Sequence, residues 1–188
     1  MALPRPAIRR PDAVRAGLLV AGLAGVAALV AAAFATVIRI TVGATTRLAS
    51  LDTELSGWDR HGPALLVIAG FALVMLFGAV TRGARPAFVA LMVCGAAALA
   101  ITLASDAPHL DDTGQVGRLY ADASAGPELG FWLELAGGLL LVGAGLGLLL
   151  VARRSDESAD QRERTALRGE GIRGAGAPLR KASDTDRL

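Results

Sequence analysis

Three places in this chain combine residue types that could do chemistry. The first is a single carboxyl, Glu134, inside an otherwise uncharged apolar run. A charge at the centre of a bilayer costs about 2.5–3.5 kcal/mol on insertion scales, and less near the interface. Glu134 should therefore turn toward neighbouring helices. There it either couples to a proton or ligand, or serves as a hydrogen-bond partner for Ser, Thr or backbone, and the second role is the expected one. The next is Asp59-Arg60-His61 beside Trp58. These residues could pair with an acid elsewhere, although an interfacial turn anchored by Trp58 accounts for them. The last is Asp106, His109, Asp111 and Asp112, hard oxygen ligands with one imidazole. Their spacing matches no calcium loop, since the turn Gly and the closing bidentate Glu are missing. A solvated acidic loop is expected.

Other chemistry finds no foothold. No P-loop, nucleophile elbow or pair of metal ligands at helical spacing is present, so no catalytic residue, metal or cofactor is expected, and no enzyme. Cys94 has no second cysteine to pair with and reads as a structural thiol. The net charge of +2 gives no reason to expect nucleic acid as a partner. No apolar run besides that of Glu134 holds an Asp, Glu, Lys or Arg, which speaks against a proton pump or ion-coupled transporter.

The elements that must position these groups are four apolar runs, at 16–38, 62–81, 86–105 and 129–152. A helix rising about 1.5 Å per residue needs about 20 residues to cross a ~30 Å hydrocarbon core, and each run is long enough. With 53% hydrophobic residues and mean hydropathy +0.50, the chain is expected to be an all-α integral membrane protein, a bundle of four transmembrane helices. The spans are rich in Ala and Gly, which lets helix backbones approach. Gly17, Ala21 and Gly25 recur every four residues in the first span. Gly143 and Gly147 form a GxxxG pair in the fourth. Both sets are candidate packing faces.

Basic residues set the orientation. Eleven arginines lie in the N-terminal segment, the link 82–85 and the start of the C-terminal tail, against four in the two larger loops. Both termini are therefore expected to be cytoplasmic, with 1–12 an N-terminal tail and 13–152 the transmembrane domain. The larger loops should form a small extracellular cap, with an irregular β-hairpin over 38–51 and a short interfacial helix at 119–125. The first run is longer than the 7–15 residues of a signal-peptide core and reads as an uncleaved anchor. Residues 153–188 hold nine basic and seven acidic residues without apolar periodicity and read as a disordered cytoplasmic tail.

Eighteen arginines to one lysine, with abundant Ala and Gly, point to a GC-rich bacterial genome and so to a bacterial plasma membrane. The stretch from Ile38 to Leu103 resembles the small actinobacterial tryptophan-operon-associated membrane proteins. It shares a β-like segment after span one, Leu55-Ser56-Gly57, a proline opening span two, and the arginine-bearing link Thr81–Arg85 before an Ala/Gly-rich span. Four spans with β-structure in the first loop are also similar in plan to claudin-like proteins, though the paired cysteines of that family are missing. The resemblance lends no activity. The expected function is that of a non-enzymatic accessory or scaffold subunit acting through lipid and through a membrane-protein partner or its own homo-oligomer. The alternative is a small transporter or channel component that uses Glu134 in an oligomeric pore.

Overall fold

The computed structural model describes residues 10–42, 54–119 and 123–175. Its elements in chain order are α1 (Arg10–Phe34), β1 (Thr36–Val42), β2 (Glu54–Ser56), α2 (Gly57–His61), α3 (Ala64–Arg82), α4 (Arg85–Ile101), a π-helical segment (Thr102–Asp106), a 3-10 turn (Ala107–His109), α5 (Gly114–Leu119), β3 (Ala123–Pro127) and α6 (Leu129–Ala175). Among the described residues four helices are long and apolar enough to cross a membrane. They are apolar on all sides. Along α3, Leu65, Ala69, Ala72, Leu76 and Ala79 are buried while Val67, Phe71, Val74 and Phe77 face outward. A helix of this kind suits apolar surroundings on every face.

The helices form a ring in the order α1, α3, α4, α6, and α6 closes it. It does so through small residues at which backbones meet. A Cβ on Gly25 of α1 would lie 3.0 Å from the Gly137 carbonyl, and one on Gly95 of α4 only 2.6 Å from the Gly138 carbonyl. Gly145 meets Phe88 and Met92, and Gly147 meets Leu18. The candidate packing faces are thus divided. Gly25 and Gly147 lie at helix contacts, whereas Gly17 and Gly143 have nothing within 4 Å of a Cβ, and Ala21 is half-buried. The GxxxG pair is not one face of contact: Gly143 is exposed, and the neighbours of Gly147 on α6 that matter are Gly137, Gly138 and Gly145.

The sheet sits at one end of the ring, called here the cap end. β1 is its central strand, antiparallel to both β2 and β3. β1 starts two residues after α1, at Thr36-Val37-Ile38, where β-branched residues favour extended backbone. The first span accordingly ends at Phe34 and not at 38. β1 and β2 form an antiparallel hairpin, with the second arm at 54–56 and not within 45–51, which lies outside the described residues; β1 also pairs with the distant β3, so Ile38 stands opposite Leu55 in β2 and Pro127 in β3. Residues 43–53 lie outside the described residues, as do 120–122. The short helix expected at 119–125 is also displaced. The helix is α5, and Ala123–Pro127 is strand. Val37, Ile38 and Phe131 form a small apolar core beneath the sheet, with Ala107, Leu110 and Ala125 packed on it.

At the other end, Gly83 in the left-handed region (φ 59°) stops α3, and Pro86 sits in the first turn of α4. Arg15 of α1 donates to the carbonyl of Ala79 in the last turn of α3. Helical backbone is assigned through 152–175, within the stretch read as a tail, while 176–188 falls outside the described residues. Arg, Glu, Gln, Ala and Leu are good helix formers, and Asp160–Arg164 is an i,i+4 ion pair.

Candidate functional site

Five polar residues from three elements converge at the cap end, between the sheet and the top of the helix ring. Their positions follow from local structure. Ser56 ends β2 and caps α2. Its hydroxyl accepts from the Asp59 amide, and the Asp59 carboxylate accepts in turn from the Ser56 amide and hydroxyl, a closed capping box. These bonds hold the Asp59 carboxyl below the usual carboxylate range, the side-chain bond first and the backbone bond second. α2 is clamped against α1, since a Cβ on Gly57 would lie 2.5 Å from the Ala32 carbonyl and the Gly57 amide donates to the Ala35 carbonyl at 3.1 Å. A turn so fixed aims Arg60 and His61 inward and leaves Trp58 outside, stacked on Phe34 with ring centroids 6.3 Å apart.

The π segment supplies the second wall. Its closing bond runs from the Ala107 amide to the Thr102 carbonyl, five residues back. Thr102 and Asp106 are both fully buried, while Leu103, Ala104 and Ser105 between them are exposed. π turns inside helices recur at functional sites. Here the turn directs Asp106 into the protein and away from the acidic loop in which it stands in sequence.

Asp106 receives two partners from α2. Arg60 Nε donates to Oδ1 at 2.7 Å, and His61 Nε2 lies 2.8 Å from Oδ2. A second Arg60 donor reaches the Ser105 carbonyl at 2.9 Å. The alternative to a plain interfacial turn, pairing of 59–61 with an acid of the other outer loop, is thus met by Arg60 and His61 on Asp106, whereas Asp59 serves the cap of its own helix.

Glu134, just over one turn into α6, faces the same point. It is fully buried. The Thr102 hydroxyl donates to its Oε2 at 3.2 Å and is also 3.1 Å from the Ala98 carbonyl, so one hydrogen is shared between two acceptors. The other oxygen, Oε1, is the single buried side-chain polar atom among the described residues with no hydrogen-bond partner. It lies 3.9 Å from His61 Nε2. One donor atom each from His61, Asp106 and Glu134 fall within 4.8 Å of one another. The other acidic-loop residues stay apart: His109 pairs with Asp112 at 2.7 Å on the surface, and Asp111 is exposed. In sequence Asp106 stands with these residues, and the i,i+4 spacing of Thr102 and Asp106 is the one signal that it belongs elsewhere.

Fold and site together define a class: a four-helix protein apolar enough to cross a membrane, with a buried ionic cluster beneath a three-stranded cap. Comparison with family models, curated proteins and solved structures finds no match, so the reading of the site rests on its geometry.

Proposed function

We propose that this chain is a non-enzymatic, multi-pass protein of a bacterial plasma membrane, an accessory subunit that works through its cap. In this reading both termini are cytoplasmic, and the cap with its ionic cluster is extracytoplasmic. The arginine distribution supports that orientation, and the placing of both tryptophans supports an interface there. Trp58 and Trp132 are about half exposed at the cap end, where amphipathic aromatics meet headgroups.

The observation that carries the proposal is where polarity stops. Thr102, Asp106 and Glu134 are the buried polar or charged residues among those described, and all lie at the cap end. Below them the ring is filled by Leu29, Leu91, Leu141 and Leu148 with alanines and glycines. A conducting protein needs polar groups or water along its path. This arrangement instead favours a protein that senses or binds at one end and transmits through contacts. The rival, with Glu134 lining a pore between copies, is disfavoured because its carboxyl is enclosed within one chain.

The test is purification at native expression level, with crosslinking in the membrane beforehand. A stoichiometric membrane-protein partner, crosslinked through cysteines placed at Trp58 or Trp132 and not through one at Gly143, supports the reading. A homo-oligomer that conducts ions in vesicles sinks it. Orientation is checked by impermeant thiol labelling of intact cells in a Cys94→Ala background. Ser124→Cys should react and Ser158→Cys should not.

A further inference from the structure

We propose that His61, Asp106 and Glu134 form a binding site for a divalent transition-metal ion of the zinc class. The proposal deepens the accessory reading by naming what the cap end binds. Three observations carry it.

The donor set comes first. One imidazole and two carboxylates are the ligand types that Zn2+ takes, at about 2.0–2.2 Å for nitrogen and oxygen, with a fourth position left for water or a partner group. Tetrahedral ligands at such distances stand about 3.3 Å from one another. The His61 Nε2 separations of 2.8 Å to Asp106 and 3.9 Å to Glu134 bracket that value. All three ligand atoms lie within 4.8 Å of one another, so side-chain shifts on the order of an ångström seat an ion. Calcium and magnesium are poorer fits, since both prefer six or more oxygens or a largely retained water shell.

The unpartnered oxygen is the second observation. Glu134 Oε1 is fully enclosed, without a hydrogen-bond donor, and faces His61 and Asp106. Leaving a buried acceptor unsatisfied costs about 1–3 kcal/mol, and Oε2 of the same carboxyl already has its donor in Thr102. An ion between the three groups satisfies Oε1 and replaces the hydrogen bond between His61 and Asp106.

The surrounding shell is the third. Arg60 holds Oδ1 of Asp106 and Thr102 holds Oε2 of Glu134, so each carboxyl presents its remaining oxygen to the common point. Outer partners that fix ligating carboxylates in this way are a regular part of metal sites. Formal charge is partly offset: with His61 ligating as neutral imidazole, Arg60 and a divalent ion bring +3 against −2 from Asp106 and Glu134, a net of +1.

The test uses the full chain purified in detergent and titrated with Co2+, followed by competition with Zn2+. One Co2+ per chain is expected, with the visible absorption of a four-coordinate nitrogen–oxygen site, displaced by Zn2+. Glu134→Gln should weaken binding on the order of 100-fold or more, beyond the ~10–100-fold typical of losing an outer partner. His61→Ala should do the same. His109→Ala, which alters the exposed His109–Asp112 pair, should bind as the wild type does. Absence of Co2+ absorption in the wild type overturns the proposal, as does unchanged affinity in Glu134→Gln. Loss of binding in His109→Ala alone assigns the ion to the surface pair and overturns it too. Should His61→Ala fail to fold, Glu134→Gln decides, because the amide keeps its oxygen for Thr102. The two readings fail separately: a partner that crosslinks to a cap without metal affinity removes only the metal site, and metal affinity without a partner removes only the accessory role.

Discussion

The middle of the helix ring and the space beneath the cap are both fully buried, yet they are built on opposite principles. In the middle, helices touch backbone to backbone at Gly25–Gly137 and Gly95–Gly138, and the rest is Leu and Ala. Close packing of small residues holds helices together in lipid without polar contacts. Beneath the cap, Arg60, His61, Asp106, Thr102 and Glu134 meet with one acceptor unsatisfied. Burying a charged pair costs desolvation that its attraction often repays only in part, so such a pair is weak support for stability as its purpose. The contrast locates the assembly function of the chain in the glycine contacts and leaves the ionic cluster for something else.

The comparison is broken most directly at Asp106. Asp106→Ala strips Arg60 and His61 of their common partner, and removal of one member of a buried pair costs about 3–5 kcal/mol. Arg60 keeps some exposure and its bond to the Ser105 carbonyl, so the lower end is expected. The loss should appear as cap unfolding, followed by Trp58 fluorescence, while far-ultraviolet helicity persists. Loss of the whole bundle in one step would show that the two regions are a single cooperative unit.

Gly95→Ala attacks the other side. Its methyl would enter the Gly138 carbonyl at 2.6 Å, and overpacking of this kind costs about 1–3 kcal/mol. Gly143→Ala, with nothing within 4 Å, should stay within about 0.5 kcal/mol of wild type. Thermal melts in one detergent measure both. Equal effects would mean that α6 is rotated relative to its neighbours. Thr102→Val comes next: it removes the donor to Glu134 Oε2 at about 1–3 kcal/mol, and Thr102→Ser should restore most of it.

The glycine contacts and the cluster differ also in how far the sequence reveals them. Apolar runs and the odd carboxyl at Glu134 are visible because residue type alone marks them. So are Arg60 and His61, next to a tryptophan at a turn. Asp106 is not, because a π turn rotates it away from its sequence neighbours, and hydropathy carries no trace of that turn. β3, Ala-Ser-Ala-Gly-Pro, has no strand propensity; it is a strand because β1 offers it a free edge 81 or more residues away in sequence. Among the 23 glycines, spacing generates many small-residue faces, and only the rotation of each helix against its partner selects Gly95 and Gly138 over Gly143.

The smallest expected effect tests whether the cap's own wiring is independent of the cluster. Ser56→Ala opens the capping box that aims Arg60 and His61, and loss of an N-cap costs about 1 kcal/mol. Asp59 adds a pH dependence whose sign follows from its lowered pKa. Unfolded, this carboxyl titrates near the ordinary value of about 3.9; folded, it titrates lower. The stabilisation is therefore complete above that ordinary value and is lost as pH falls through the folded value beneath it. Wild type and Asp59→Asn should then differ in cap stability at pH 6, and the difference should close below pH ~4, as read from Trp58 fluorescence during denaturation. A difference that persists at low pH means the carboxylate charge is not what closes the box. A difference that closes well above pH 4 means that a group other than Asp59 controls the box.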